Sequence, residues 1–189
     1  MKPDVFLRHL DENPVIAAVK DMDGLEKAIA SNCEIIFVLF GDILNIPEIT
    51  ARIKTADKVA MLHVDLIEGL AYRDVSIDYI AKYTSADGIL STKLNLARRA
   101  GVCGLLAVQR FFLLDSMALA NIHKQYSEDA ACAIEILPGI IPKAISRLTK
   151  DISAPVIAGG LVNDKEDVIN ALNAGARAVS SSNQEVWFL

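Results

Sequence analysis

Eight short apolar runs recur along the chain, and each interval between them holds one amphipathic helical pattern. The runs are Val15–Lys20, Ile35–Phe40, Lys58–Val64, Gly88–Ser91, Leu105–Gln109, Ala133–Leu137, Val156–Ala158 and Ala178–Ser180. Most are continuous rather than alternating, as in parallel strands covered on both faces. Helical spacing shows in Leu25 and Ile29, in Ile77, Ile80 and Ala81, and in Val168, Ile169 and Leu172. Asp115-Ser116 and Asn163-Asp164 supply N-caps, and Gly101 and Gly175 stand where helix C-termini need a left-handed residue. Strand alternating with helix throughout predicts an α/β protein of parallel βα units. Eight units predict a compact, TIM-like (β/α)8 barrel, although open α/β sheets share the local pattern. Such barrels typically need ~200 residues or more, so the loops must be short and one unit has room to be irregular or incomplete. The expected organisation is a single barrel domain over residues 1–189. Residues 1–12 are expected to form a short helix that lays Phe6, Leu7 and Leu10 over the barrel base.

Composition narrows the function classes. A chain that is 52% hydrophobic, with a net charge of −5, can bury one large core and is not a globally basic nucleic-acid binder; a local basic patch stays open. No Lys/Arg-led apolar segment opens the chain, and charges or glycines interrupt every run well short of a membrane span. The expectation is a cytoplasmic protein with no membrane partner. Cys33, Cys103 and Cys132 cannot all pair within one chain, show no C-x-x-C spacing and precede strands. They read as buried thiols in a reducing compartment, at the end of the barrel away from any site.

In a (β/α)8 barrel, ligand groups come from the C-terminal strand ends, and the loops after strands 7 and 8 commonly bind phosphate. Here those loops follow Pro155-Val-Ile-Ala-Gly159-Gly160 and Ala178-Val-Ser180-Ser181-Ser182-Asn183. Gly159 and Gly160 lack side chains that would hold an anion off the backbone, and Ser180, Ser181, Ser182 and Asn183 add donors. A lone Gly-Gly would be a turn; the ordered pair at βαβ spacing favours phosphate. The other strand ends carry Lys20, Asp42, Asp65, Glu68, Lys93, Gln109 and Arg110, with Glu135 in mid-strand. These rim groups are candidates for the rest of the ligand. Alternation places Met61, His63 and Asp65 on one strand face, and Ile89, Ser91 and Lys93 on another. Glu135 would be costly against the helices, so it is expected in the mouth, neutralised by Lys93, Lys20 or Arg110. Each group also has a structural reading: Asp21, Asp42 and Asp65 as helix caps, Arg110 in an ion pair, Lys93 at a solvated helix start. His63 reads as a hydrogen-bonded core histidine, and His9 and His123 as exposed helical residues. Asp42, Asp65, Glu68 and Glu135 show no metal-binding spacing, so no metal, cofactor or catalytic residue is assigned.

The strings PVIAAVKD (14–21), IIFVLFGDILNI (35–46), HVDLIEGL (63–70), DGILSTK (87–93), VQRFFLLDS (108–116), IEILPGIIPK (134–143), VIAGGLVNDKEDV (156–168) and AVSSSNQEVW (178–187) occur in this order. Together they closely resemble the bacterial glycerol uptake operon antiterminator regulatory family. The resemblance implies a barrel that binds glycerol-3-phosphate and, so loaded, acts on the leader mRNA of glycerol genes to let transcription pass a terminator. By motif, the phosphate would meet Gly159-Gly160 and Ser181-Ser182-Asn183. From the barrel geometry, the hydroxyls would meet Asp42, Asp65, Glu135, Lys93 or Gln109. The alternative is an enzyme acting on a small phosphorylated metabolite, of aldolase, isomerase or phosphodiesterase type. A Schiff-base enzyme would need Lys93 or Lys20 desolvated, and an acid–base isomerase a pair from Asp42, Asp65 and Glu135. For RNA, the best local feature is the helix after the sixth strand, where Lys143, Arg147 and Lys150 share one face. A solvated helix face has the same pattern. Phe111-Phe112-Leu113-Leu114 suits a second copy of the chain as well as its own helix, which leaves a homo-oligomer open.

Overall fold

β1 (Val15–Val19) pairs in parallel with both β2 (Ile35–Val38) and β8 (Ala178–Ser181), and this closes a barrel whose strands follow sequence order. The remaining strands are β3 (Val59–His63), β4 (Gly88–Ser91), β5 (Leu106–Phe112), β6 (Ala133–Leu137) and β7 (Val156–Gly159). The structure is a computed structural model and describes residues 1–189 except the His123 side chain. The expected exposure of His123 therefore lies outside the described residues. After α1 (Pro3–Glu12), the strands alternate with α2 (Met22–Ala30), α3 (Ile46–Thr55), α4 (Asp74–Tyr83), α5 (Leu94–Val102), α6 (Ser116–Gln125), α7 (Pro142–Asp151) and α8 (Lys165–Asn173). The fold is the expected (β/α)8 barrel. Its eighth unit closes with a 3₁₀ turn, Gln184–Phe188, in place of an α-helix. No helix among the described residues is long and apolar enough to cross a membrane.

The continuous strand runs are explained by two separate apolar layers. Ile16, Phe37, Met61, Val108 and Ile157 fill the barrel interior, while Ala17, Ile36, Leu62, Ala107 and Ala158 pack against the helices. Each fully buried Ile, Leu or Phe contributes roughly 1.5–3 kcal/mol. Phe6 and Leu10 of α1 are wholly buried in the inner layer and plug the base. At the other terminus, Trp187 donates its Nε1–H to the Ser181 carbonyl at 2.8 Å and seals the chain end onto β8.

Local signals at the helix ends hold in most places. Asp21, Asp115 and Asp164 each accept a first-turn amide of the helix they precede. Gly175 has the left-handed φ of +106°, but Gly101 lies inside α5 and Gly104, at φ +76°, takes the turn assigned to it. Burial raises the thiol pKa values of Cys33 and Cys132, the latter to about 11, which keeps both protonated and inert at neutral pH. Cys103 and Cys132 are half-buried where full burial was expected, and the Cys103 thiol donates to Asp78. His9 is half-buried as well and bonds Glu34 at 2.6 Å, against the expectation of a free surface residue.

Candidate functional site

Strand alternation, carried two residues beyond the apolar interior, defines one further inward layer. Its members, β1 to β8 in order, are Lys20, Leu39, His63, Thr92, Arg110, Glu135, Gly159 and Ser180. Arg110 and Glu135 are register partners on neighbouring strands, so their side chains meet. Arg110 donates from Nε to Glu135 Oε2 at 2.5 Å, and Ser180 donates from Oγ to Oε1 at 2.5 Å. All three residues are buried. Of the three cations expected to neutralise Glu135, Arg110 does so; Lys20 stands at the edge and Lys93 points elsewhere.

Above this network lies a cavity of about 330 Å³, lined among others by Lys20, Arg110, Glu135, Gly160, Ser181 and Ser182. Its charged lining residues are Lys20, Arg110 and Glu135, two positive and one negative, a net of +1. That size suits a ligand at the small end of the range, and the charge suits an anion.

The loops after β7 and β8 frame the cavity but use their side chains differently from the expectation. Gly159 is not among the residues that line the cavity. A Cβ there would lie 2.6 Å from Glu135 Oε1 and 2.6 Å from Ser180 Oγ, so glycine makes room for the buried network. Gly160 and Leu161 both take left-handed conformations, φ +73° and +62°, and turn the chain over the cavity. Ser181 donates to the Val162 carbonyl at 2.6 Å, and Asn183 donates to the Asn163 carbonyl at 2.6 Å, which ties the two loops together. Ser182 lines the cavity with an exposed side chain. The N-terminus of α8 is filled by its own carboxylates, Asp164 on the Asp167 amide and Asp167 on the Asn163 amide.

Five predicted rim residues do not line this cavity. Asp42 accepts the Leu44 and Asn45 amides and shapes its own turn. Asp65 lies beyond the strand, in the 3₁₀ turn Val64–Leu66, and accepts from Ser91 Oγ, Thr92 N and Thr92 Oγ1 at 2.6, 2.7 and 2.8 Å. Glu68 bridges its backbone to Asp42 and is exposed. Lys93 is exposed, its ammonium 5.5 Å from the Tyr72 ring centre. Gln109 faces outward, where its amide donates to the Gln125 carbonyl of α6 at 3.2 Å and its Oε1 is buried without a partner.

His63 is the polar member of the inner layer that the sequence reading set aside. It is buried as expected, but Nδ1 has no hydrogen-bond partner. Burial, reinforced by the Arg110 cation and opposed by Asp65, lowers its pKa to about 4, so the ring is neutral at physiological pH. Ala18, Leu39, Leu137, Leu161 and Val162, also unassigned from sequence, supply the apolar part of the lining. The alternation Ile16, Ala18, Lys20 was the signal for the first of them.

Two features lie away from the mouth. Lys143, Arg147 and Lys150, all exposed, line an outer groove of about 630 Å³ between α7 and α8, with Asn170 and Asn173 on its far wall. Arg98, Arg99 and Lys82 sit on α5 and α4, and Arg99 is paired with Asp78. At the barrel base, His9, Glu12 and Glu34 form the grouping with metal-ligand chemistry among the described residues.

The fold and the site together define a closed (β/α)8 barrel with a small, net-cationic cavity over a buried Arg–Glu–Ser network. Within that class, the chain belongs to the glycerol-3-phosphate responsive antiterminator family, which it matches over residues 15–187. It is 46% identical over 184 residues to the Escherichia coli K12 protein YgcP, covering 97% of this chain and 96% of that one. A crystal structure of the glycerol uptake operon antiterminator regulatory protein from Listeria monocytogenes superposes with a TM-score of 0.87 at 32% identity, covering 92% and 94% of the two chains. A glycerol uptake operon antiterminator-related protein from Thermotoga maritima gives 0.81 at 31% identity, covering 93% and 98%.

Proposed function

We propose that this chain binds glycerol-3-phosphate in the strand-end cavity and, in the bound state, acts on leader mRNA in the cytoplasm to promote transcription antitermination. The observation that carries the ligand assignment is the net-cationic cavity above Arg110, Glu135 and Ser180 in a chain of this family. In this reading, the phosphate meets Lys20, Ser182 and the Gly160–Val162 backbone, and the polyol end meets Arg110 and the apolar wall. The mouth groups orient the ligand and do no chemistry.

The α7–α8 groove supports an RNA partner. An acidic chain must concentrate cations locally to hold a phosphate backbone, and three stand in that groove with two side-chain amides. α8 follows a loop that lines the cavity, α7 follows the loop after the lining residue Leu137, and the Gly139 amide donates to the Gly160 carbonyl at 3.0 Å, which joins the two loops. A ligand against Gly160 therefore acts on the two elements that form the groove walls. The combined Lys143→Gln, Arg147→Gln and Lys150→Gln variant tests this in a leader-RNA binding assay with and without glycerol-3-phosphate. The expected result is weaker RNA binding with a salt dependence about three charges shallower, and ligand affinity unchanged. RNA binding equal to wild type at every salt concentration rejects the groove as the RNA site.

A further inference from the structure

Exposed apolar side chains are unevenly spread over the two ends of the barrel. At the base they stand singly, as Val102 and Tyr83 do at the ends of α5 and α4. At the mouth, six lie on three segments that neighbouring strands set side by side: Phe112, Leu114 and Met117 from the end of β5 into α6, Ile140 and Ile141 before α7, and Leu161 before α8; Leu44, Leu66, Tyr72 and Val75 stand apart from them, after β2 and β3. Leu114 is 86% and Met117 70% exposed. They are not held outward for lack of alternatives on their own helix, because α6 buries only Ile122 among its described side chains. The strip is therefore a surface of its own, larger than the scattered apolar residues of a monomer surface.

We propose that this strip is the interface with a second copy of the chain, related by a two-fold axis near Ile140 and Ile141. The exposed area of the six residues is of the same order as the roughly 800 Å² that each partner contributes to a stable interface. A two-fold interface uses the same patch on both copies. With the axis on the middle loop, the β5–α6 loop of one copy lies on the β7–α8 loop of its partner, apolar against apolar along the strip. The flanking charges argue against a lipid surface as the occupant. Beside the strip, Asp115, Asp164 and Glu166 are exposed together with Lys143 and Lys165, a mixed set with a net charge of −1 that offers anionic headgroups no attraction and lets acids meet lysines across two copies. Leu161 belongs both to the strip and to the cavity lining, so the interface adjoins the mouth.

Sedimentation equilibrium of the ligand-free protein tests the proposal without reference to what the cavity binds. The expected result is a dimer of the 20.5 kDa chain, weakened at least about thirtyfold by Leu114→Asp and by Met117→Asp. Val102→Asp on the opposite end should leave the mass unchanged. Ile141→Cys should cross-link to itself on mild oxidation, which decides the matter if the Asp variants fail to fold by circular dichroism. A monomeric wild type, a dimer indifferent to both Asp variants, a dimer broken by Val102→Asp, or an Ile141→Cys protein that never cross-links would each overturn the proposal.

Discussion

Around β5 to β8 and β1, strand-end polar groups turn inward and meet. Arg110 and Ser180 both donate to Glu135, and Lys20 stands at the edge of the cavity above them. Around β2 to β4, groups of the same chemistry turn to their own loops: Asp42 holds the Leu44–Asn45 turn, and Asp65 latches Ser91 and Thr92 of the next unit. The two arcs differ in strand phase rather than in composition. Residues still inside a strand keep its alternation, inward for Arg110, Glu135 and Ser180 and outward for Gln109, whereas Asp42 and Asp65, past their strand ends, take the direction that the loop needs.

The largest expected effect lies in the converging arc. Arg110→Met leaves a buried carboxylate with Ser180 as its remaining partner, and breaking a buried pair from one side costs about 3–5 kcal/mol. Denaturant midpoints should show this loss, with part of it recovered when Glu135→Gln is added. A loss below about 1 kcal/mol would mean that the pair is not a structural unit and that the contrast between the arcs is only geometric.

His63 gives the next effect and makes it pH-dependent. Its pKa of about 4 in the folded protein lies below the ordinary 6.5, so the unfolded chain binds the extra proton between those values. The stability it confers is complete above the upper value and is lost as pH falls through that window, by up to roughly 3 kcal/mol. The urea midpoint of the wild type should fall relative to that of His63→Leu as pH is lowered toward about 4. Parallel curves at all pH values would show that the histidine is not held neutral by the barrel interior.

Asp65 defines the opposite arc and the smallest effect. Asp65→Ala removes the acceptor for Ser91 and Thr92 and should cost about 1–3 kcal/mol of stability, while calorimetric titration with glycerol-3-phosphate stays unchanged. A drop in ligand affinity without a drop in stability would return Asp65 to the ligand.

The limits of reading this site from sequence follow from the same rule of phase. Glu135 was legible because a carboxylate in the middle of Ala133–Leu137 has only the interior to face. That Arg110 would be its partner needed the β5–β6 register, which apolar patterning does not specify. Asp65 was misplaced because alternation was carried past the end of β3 at His63. Gln109 was grouped with Arg110 although adjacent residues of a strand point to opposite faces. The eight parallel strands in sequence order were legible because each of the first seven strand runs is followed by a helical one, whereas closure rests on the β1–β8 pairing, which the local pattern shares with open sheets. Gly159 carried a true signal with a different cause, since its missing side chain accommodates Glu135 and Ser180.

Thermal unfolding with glycerol-3-phosphate, compared between wild type and Ser182→Asp, tests the central claim most directly. The Ser182 side chain is exposed at the cavity, so the added carboxylate opposes an anion there without disturbing the buried network. At about one hundred times its dissociation constant, the ligand should add roughly 2.7 kcal/mol, or about 5–10 °C for a chain of this size. The shift should be largely lost in the variant. No shift in the wild type, or an equal shift in both proteins, would contradict the assignment of this cavity to a phosphorylated ligand.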